Sequence, residues 1–338
     1  MGDALEVLWD WSYEIEQSRL EELYVKAKRE QWNADVALDW SRVVDPAGRI
    51  LDPERMAFLR MDFFKGLSKS QMDGFNARYS AWVLSQLLHG EQGALMVAGQ
   101  LVSAVPDYEA KLYVASQAMD EARHVEVFAR YIRRLDRIYP VQPILRGILD
   151  RIMSSPFWQA KMVGMQVILE GLALGSFINV RAATACDLLR DALAYVIKDE
   201  ARHVAFGSLY LGRGIAEMHP DDRAVVEDFA LDATRLTLLM RRGMEGFEGF
   251  DAVLRESGID PADFLKALYA EVAGGFQLAS TPGSVHTFRG LVLPGIVRAG
   301  LVSDRVRPAY ESARIEPFSD TALLDEIERT GALERPSA

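Results

Sequence analysis

The hexapeptide Asp-Glu-Ala-Arg-His-Val occurs twice in this chain, at residues 120–125 and again at residues 199–204. Each copy contains a glutamate three residues before a histidine, and these pairs are Glu121 with His124 and Glu200 with His203. Residues three apart lie on the same face of an α-helix, so each copy directs a carboxylate and an imidazole towards one point. A chain that does this twice is predicted to build a site for two metal ions.

Two further glutamates extend the repeat. The Glu-x-x-His motifs are 79 residues apart, and the glutamates that precede them by 30 residues, Glu91 and Glu170, are separated by the same distance. Both lie in otherwise apolar helical stretches, where an ionised carboxylate costs free energy unless it is paired or binds a metal ion. The chain is therefore interpreted as a Glu…Glu-x-x-His unit that occurs twice.

The residues midway between the paired glutamates predict turns. Pro106 and Asp107 lie at the midpoint of the first unit, and Thr184 to Asp187 surround the midpoint of the second. Proline ends a helix and aspartate favours the start of the next one. Fifteen helical residues span roughly 22 Å. In each antiparallel pair the first glutamate therefore lies at the depth of the Glu-x-x-His motif, near the middle of a long helix.

Apolar periodicity predicts four long helices around these motifs, over about 70–105, 107–137, 156–183 and 187–218. The pair Ser155 and Pro156 is typical of a helix start, and Asp52 with Pro53 is interpreted in the same way. Further helices are predicted over 3–32, 53–66, 144–152, 221–246, 261–273 and near 285–300. An extended loop is expected between Trp32 and Pro53, and a mostly polar tail after residue 304.

The predicted fold class is all-α, because neither an alternating strand pattern nor a low-complexity linker is evident. We expect one domain over residues 1–338, with the metal-binding bundle at about 70–218. An N-terminal arm (1–69) and C-terminal helices and tail (219–338) flank the bundle. The N-terminal tryptophans are interpreted as packing anchors for this arm rather than an electron-transfer relay, and they are Trp9, Trp11, Trp32 and Trp40.

Composition restricts the partners and the compartment. The net charge of −11 argues against nucleic acid as the main partner. The only cysteine is Cys186, which excludes a disulfide framework, a cysteine-rich zinc site and an iron–sulfur cluster within the chain. We find no signal peptide at the N-terminus and no uninterrupted apolar run of membrane-spanning length. A cytoplasmic protein without a membrane partner is therefore expected.

Four carboxylates and two imidazoles suit a pair of first-row metal ions, iron above all. Four carboxylates balance the charge of two Fe²⁺ ions, so the reduced site is near neutral. Two such ions roughly 3.5–4 Å apart can together deliver electrons to O2 as they cycle between Fe²⁺ and Fe³⁺. Two alternatives stay open: a mixed Mn/Fe oxidase on the same ligands, and a ferroxidase or metal-binding protein without an organic substrate.

The other charged residues of the hexapeptide are interpreted as support for the histidines. Asp120 and Asp199 each precede a ligand glutamate, and across the bundle each can accept the free ring N–H of the opposing histidine. Arg123 and Arg202 would then offset the charge of the two aspartates.

This pattern resembles the ferritin-like superfamily of di-iron carboxylate proteins. It is most similar to the oxidase and oxygenase branch, which includes ribonucleotide reductase small subunits and bacterial multicomponent monooxygenase hydroxylases. The family pattern of Glu, Glu-x-x-His, Glu, Glu-x-x-His matches the six residues named above, within about 70–218. The resemblance implies a ferritin-like four-helix bundle with extra N- and C-terminal helices, and a homodimer, since relatives are commonly dimers.

Several positions depart from particular members of the superfamily. Phe128 stands where reductase subunits usually have a radical tyrosine, and Leu174 where soluble hydrocarbon monooxygenases often have a threonine. Gly93 and Met165 occupy the places of the Val–Tyr cross-link of ligand-binding oxidases. Val196 replaces the third histidine that arylamine N-oxygenases add. The resemblance thus implies the superfamily but none of these best-known members.

Small residues beside the glutamates suggest room for a substrate, and they are Gly93, Ala94, Gly171, Ala173 and Gly175. An apolar pocket there would take a small organic molecule with an apolar portion. We therefore predict an O2-dependent di-iron oxidase or monooxygenase. Since no flavin or nicotinamide fingerprint is evident, its electrons are expected from a separate ferredoxin or reductase, or from the substrate.

Overall fold

The computed structural model describes residues 7–48, 50–242, 249–276, 286–315 and 321–333. Within these ranges the regular structure is helical, and the extended backbone pairs only in an isolated antiparallel bridge between Leu51 and Thr184. The predicted all-α fold class is confirmed. The helices are α1 Ser18–Arg29, α2 Ala34–Ala37, α3 Asp62–Lys65, α4 Lys69–Ala104, α5 Tyr108–Leu135, α6 Pro143–Ser154, α7 Trp158–Met162, α8 Glu170–Ala183, α9 Asp187–Ala216, α10 Pro220–Arg242, α11 Phe250–Glu256, α12 Pro261–Ala273, α13 Leu293–Arg298, α14 Arg307–Ser312 and α15 Ala322–Thr330.

Two π-helical segments and one 3₁₀ turn complete the helical structure of the described residues. A π-helical segment, Val163–Leu169, joins α7 to α8 and makes Trp158–Ala183 one continuous helix. A second π segment, Phe288–Val292, leads into α13, and a 3₁₀ turn covers Ala57–Arg60. π segments insert an extra residue into a helical turn and are frequent at functional sites.

Four long helices form the central bundle: α4, α5, the Trp158–Ala183 helix and α9. Helix α4 packs along α5, α8 packs along α9, and α5 also contacts α9. A capping box at Ser68 and Gln71 starts α4. The short turn after α4 makes α4 and α5 antiparallel.

Two apolar clusters fill the bundle, one on each side of its middle. On α4, Leu88 belongs to one cluster and Ala94 to the other. On α9 the change falls between Val196 and Val204. The predicted metal-binding residues lie in the gap between these clusters, so apolar packing seals both ends of the site.

The four long helices begin and end within two residues of their predicted bounds, and the helix over 261–273 is observed as predicted. The residues predicted to start two of these helices make different contacts from those expected. Ser155 Oγ accepts the N–H of Phe157, and the third bundle helix begins only at Trp158. Asp107 occupies the N-cap position of α5, but its carboxylate accepts the Tyr210 hydroxyl at 2.6 Å instead of capping.

Other predicted elements differ more. The helix predicted over 3–32 begins only at Ser18, since residues 7–17 are not helical. The helix predicted over 53–66 is a 3₁₀ turn followed by α3, and α11 was not predicted at all. The predicted polar tail contains α14 and α15. The predicted ends at 243–246 and at 285 lie outside the described residues.

Trp32 and Trp40 pack against the apolar cluster that contains Leu88, as predicted, but the beginning of the N-terminal arm is held by polar contacts. Glu109, itself buried, accepts the backbone N–H groups of Glu16 and Gln17. Trp9 and Trp11 stack on each other but are 69% and 68% exposed, so the prediction that they anchor the arm by packing is wrong.

Helix Trp158–Ala183 is long and apolar enough to cross a membrane by length and composition. Glu170 interrupts its apolar sequence, so this helix is not the uninterrupted apolar run whose absence was predicted. Most of its apolar stretch is buried inside the protein, and it contributes Glu170 to the bundle interior. A buried core helix accounts for this composition.

Candidate metal centre

All six predicted ligands are brought together at mid-bundle. Helix α4 provides one of them, α5 two, the start of α8 one and α9 two. Each is at most 3% exposed, and they are Glu91, Glu121, His124, Glu170, Glu200 and His203.

Their potential ligand atoms fall into two overlapping groups. In each group the atoms lie within 4.8 Å of one another. The first group is Glu91, Glu121, His124 and Glu200, and the second is Glu121, Glu170, Glu200 and His203. Two glutamates, Glu121 and Glu200, belong to both groups. This is the arrangement that two adjacent metal ions with shared carboxylates require.

Both imidazoles turn Nδ1 towards the carboxylates. His124 Nδ1 lies 2.8 Å from Glu91 Oε2, 3.1 Å from Glu200 Oε1 and 3.3 Å from Glu121 Oε2. The two rings are 6.1 Å apart between centroids. Nδ1 of His124 is therefore the nitrogen that faces the first ligand group.

His203 is placed in the same way in the second group. Its Nδ1 lies 3.1 Å from Glu121 Oε1, 3.5 Å from Glu200 Oε2 and 3.9 Å from Glu170 Oε2. The two halves of the sequence repeat thus produce two similar sets of donors around one centre.

Unsatisfied buried atoms show that a metal pair fits this donor set. Glu121 Oε2, both carboxylate oxygens of Glu200 and His203 Nδ1 are buried and make no hydrogen bond of acceptable geometry, although they lie 3.1–3.5 Å from one another's groups or from His124 Nδ1. Unpaired buried polar atoms are costly and uncommon in folded proteins. Divalent ions would supply the missing partners for all four atoms, since carboxylate oxygens and imidazole nitrogens suit iron and manganese.

The pKa values of two of the ligand glutamates also indicate that cations bind here. Burial, together with the charge of Glu200, raises the pKa of Glu91 well above its usual value. Burial and the charges of Glu200 and Glu121 do the same for the pKa of Glu170. These carboxylates therefore need nearby positive charge in order to ionise at neutral pH.

Aspartates lie behind the two histidines, each on the opposite helix. Asp199 Oδ2 is 3.1 Å from His124 Nε2, and Asp120 Oδ2 is 3.3 Å from His203 Nε2. An acceptor on Nε2 fixes the ring orientation and leaves Nδ1 free as a ligand.

Arg123 and Arg202 lie between the two aspartates. Each donates to Asp120 and to Asp199, and all four side chains are at most 4% exposed. Two cations and two anions therefore form a buried network of zero net charge, which we call the Asp–Arg network.

Residues at the end of α1 close the outer side of the Asp–Arg network, and sequence reasoning missed them. Trp32 Nε1 donates to Asp199 at 2.8 Å, Gln31 Nε2 donates to Asp120 at 2.8 Å, and Glu30 accepts Arg202 at 2.8 Å. No spacing signal could have found them, because they lie about 90 to 170 residues from their partners. Trp32 is thus both a packing and a hydrogen-bonding residue.

A buried pair of amides, Gln117 and Gln166, was missed as well. Gln117 Nε2 lies 3.1 Å from Glu121 Oε1 and 3.3 Å from Glu170 Oε1. Helical spacing could have indicated Gln117, since it precedes Glu121 by four residues and shares its face.

An apolar cavity of about 110 Å³ reaches the centre between α4 and α8. Glu91 and Glu170 form part of its wall. The remaining lining is mostly apolar, with a few amide and hydroxyl groups, and includes Leu87, Ala94, Gln142, Leu145, Met165, Leu169, Leu172, Ala173 and Ser176. The protein is therefore not packed solidly up to the ligand residues.

Only two of the five small residues predicted to leave room line this cavity, and these are Ala94 and Ala173. The glycines instead allow close packing. A Cβ at Gly93 would lie 2.3 Å from Leu149, and one at Gly175 would lie 2.3 Å from Thr287. A Cβ at Gly171 would lie 3.1 Å from Val292.

Comparison with protein families identifies the chain. The family model described as p-aminobenzoate N-oxygenase AurF matches residues 14–255, which is more than two thirds of the chain. None of the curated proteins matches this chain. The family match overturns the prediction that the chain is none of the best-known members, and Val196 in place of a third histidine is a departure within the family.

Solved structures of R2-like ligand-binding oxidase variants are similar over most of their length. One with an aerobically reconstituted Mn/Fe cofactor has 17% identity and a TM-score of 0.43, covering 92% of this chain and 97% of that chain. One with an aerobically reconstituted Fe/Fe cofactor has 17% identity and a TM-score of 0.45, with coverages of 86% and 95%.

The bundle, the two ligand groups with shared glutamates and the family match agree with one another. They establish a ferritin-like, O2-dependent di-iron oxidoreductase that acts on an organic substrate. The chain therefore belongs to the p-aminobenzoate N-oxygenase AurF family.

Proposed function

We propose that the six residues of the two ligand groups hold two iron ions, and that the enzyme is a monooxygenase. The observation that carries this proposal is that Glu121 and Glu200 belong to both groups, directly beside an apolar cavity. When bound, the iron pair supplies the redox chemistry that reduces O2.

The protein's own residues orient the metal ligands and exclude water from the site. Asp199 and Asp120 orient the two imidazoles, and Arg123 and Arg202 balance the charge of the aspartates. Apolar side chains at both ends of the site exclude water from the bundle interior. Charged groups interact more strongly in such a low-dielectric environment, which favours a fixed ligand geometry.

For the substrate we propose a small, uncharged aromatic amine that is oxidised at nitrogen. The family name gives the chemistry, and the cavity gives the size and charge. At about 110 Å³ the cavity is of the same order as the ~150 Å³ cavity that accepts benzene, so we expect it to enclose one aromatic ring with its small substituents. No cation is found in the described lining to pair a substrate carboxylate, whose unpaired burial is costly.

The remaining assignments rest on the sequence and on the superfamily. We propose a cytoplasmic homodimer in which residues 1–338 form one ferritin-like domain. Electrons are proposed to come from a separate ferredoxin or reductase. An Mn/Fe pair on the same ligands is distinguished from two irons by metal analysis of protein produced with both metals supplied.

The test is single-turnover oxygenation. Anaerobic Fe(II)-loaded protein is mixed with ¹⁸O2 and a panel of aromatic amines, and products are analysed by mass spectrometry. We expect an ¹⁸O-labelled N-oxygenated product, in higher yield from uncharged amines than from p-aminobenzoate. Iron oxidation without any organic product would contradict the proposal and favour a ferroxidase.

A matched pair of variants on α5 assigns the activity to the centre. Glu121→Ala should abolish product formation, because it removes a shared ligand. Glu126→Ala, at an exposed position of the same helix, should leave product formation unchanged. Equal activity of Glu121→Ala and the wild type would rule out the proposed role of the centre.

A further inference from the structure

Gln117 is the one amide among the described side chains that donates to two of the ligand glutamates. It has no exposed surface. Its Nε2 lies within hydrogen-bond distance of Oε1 of Glu121 and Oε1 of Glu170, at 3.1 and 3.3 Å. An amide NH2 carries two N–H donors, so one group can satisfy both carboxylates. Gln117 thereby ties α5 to the start of α8.

A second amide fixes the orientation of the first. Gln166, also without exposed surface, donates from Nε2 to Gln117 Oε1 at 3.1 Å. This bond forces the NH2 end of Gln117 towards the carboxylates, since a flipped amide would oppose two N–H groups to each other and two oxygens to each other. Gln166 belongs to the π segment immediately before Glu170.

Close helix packing holds Gln166 in place. A Cβ at Gly207 of α9 would lie only 2.5 Å from the Gln166 Cβ. The Gly207 backbone and the start of the Gln166 side chain are therefore in close contact. The pair Gln166 and Gln117 is therefore positioned by the backbone of two bundle helices.

The other half of the repeat lacks this support. The 79-residue offset that relates Glu121 to Glu200 relates Gln117 to Val196, which has no polar side-chain atom. The same offset relates Glu170 to Glu91, whose hydrogen bond runs to His124 Nδ1 instead. Two halves with the same ligand types thus differ in what holds the ligands.

We propose that Gln117 is a positioning residue that makes the two metal positions inequivalent. It restrains Glu121, which both positions share, and Glu170, which belongs only to the position formed with His203, so that position binds its metal ion more tightly. The position formed by Glu91 and His124 is the weaker, exchangeable one. This inference rests on the proposed assignment of the six ligands.

The test is a calorimetric titration, in which Fe(II) is added anaerobically to the metal-free full-length protein and the heat of binding is measured. The wild type should bind two ions in two resolved steps. Gln117→Met keeps the side-chain length but removes both donors, and should weaken the tighter step about 10- to 100-fold, the usual effect of losing a group that supports a metal ligand. The weaker step should change much less, because it shares only Glu121 with the tighter position's Gln117 contacts.

Two further variants complete the design. Gln166→Met should weaken the same step to a smaller extent, because only the orienting bond is lost. Gln92→Met, an exposed glutamine next to Glu91 on α4, should alter neither step. Far-UV circular dichroism of each metal-free variant checks that it is folded, and Gln166→Met provides the test if Gln117→Met does not fold.

The outcomes separate this inference from the function on which it rests. Two ions bound by the wild type in one unresolved step, an equal weakening of both steps in Gln117→Met, or no change in either step would overturn the role of Gln117 and leave the metal centre standing. Binding of fewer than two Fe(II) ions by the wild type would overturn the metal centre itself.

Discussion

Replacing Arg202 with methionine probes the buried charges behind the metal centre. The Arg202 side chain is fully buried and donates to Glu30 at 2.8 Å, to Asp120 at 3.3 Å and to Asp199. Burial alone lowers the pKa of Arg202, but the charges of Asp199 and Asp120 raise it above its usual value, so the guanidinium stays protonated. Methionine fills the space of the stem without supplying the charge.

The magnitude follows from the composition of the Asp–Arg network. After Arg202→Met, two buried aspartates share the single guanidinium of Arg123. Breaking a buried ion pair by removing one partner costs about 3–5 kcal/mol. With a urea m-value of about 3 kcal/mol per M, the unfolding midpoint falls by roughly 1–1.7 M.

The assay is urea unfolding of the metal-free protein at pH 7, followed by far-UV circular dichroism. Arg213→Met is the matched control, because it removes an arginine from the same helix. Arg213 is 46% exposed and pairs with Glu217 at 3.0 Å, and exposed pairs contribute about 0–1 kcal/mol. Equal midpoint shifts in the two variants, or an unchanged midpoint in Arg202→Met, would refute the buried network.

Three further changes test other contacts. Gly207→Ala, which places a methyl group 2.5 Å from a carbon of the π segment, should lower stability by about 1–3 kcal/mol. Gly99→Ala, with nothing within 4 Å, should raise it by up to about 1 kcal/mol; thermal unfolding that ranks the two alike would disprove the close packing. Glu109→Ala removes the acceptor of two backbone N–H groups of the N-terminal arm and should speed proteolytic cleavage within residues 7–17, and an unchanged cleavage rate would argue against this tether. Burial lowers the pKa of Lys161 to about 8 from 10.5, so the unfolded chain binds this proton more tightly than the folded one. The stability of the wild type relative to Lys161→Met should therefore rise from pH 8 to pH 10, and urea midpoints that move the opposite way would contradict it.

The bundle could be predicted from sequence because its signals are local. Apolar periodicity and the residues Pro106 and Asp107 mark helices and turns within a few residues of where they occur. The six ligands followed from the repeat itself, since two copies with one spacing must lie at matching depth. In the structure the short turn between α4 and α5 makes these two helices antiparallel, and Glu91 therefore lies at the depth of the first Glu-x-x-His motif.

Contacts between distant parts of the chain could not be predicted in this way. The residues before Ser18 have helix-compatible spacing, but Glu109 takes the N–H groups of Glu16 and Gln17 across more than 90 positions. The Trp32 indole reaches Asp199 over 167 positions. Such bonds override local propensity, because buried acceptors must be satisfied wherever their donors lie in the sequence.

Which of the small residues line the cavity also could not be predicted from the local sequence. Gly175 and Ala173 are both small residues of α8, yet Gly175 faces Thr287 at a distance that no Cβ could tolerate, and Ala173 faces the cavity. Residue size indicates only that space exists beside a helix. Whether a neighbouring helix or a ligand fills that space depends on how the C-terminal segment packs.

The most direct test of the account is a crystal structure of Fe(II)-loaded protein with anomalous scattering measured at the iron edge. We expect two iron peaks roughly 3.5–4 Å apart, with Glu121 and Glu200 contacting both ions and His124 and His203 contacting one each. A single peak, or either histidine directed away from the carboxylates, would contradict the central claim that this bundle holds a dinuclear site.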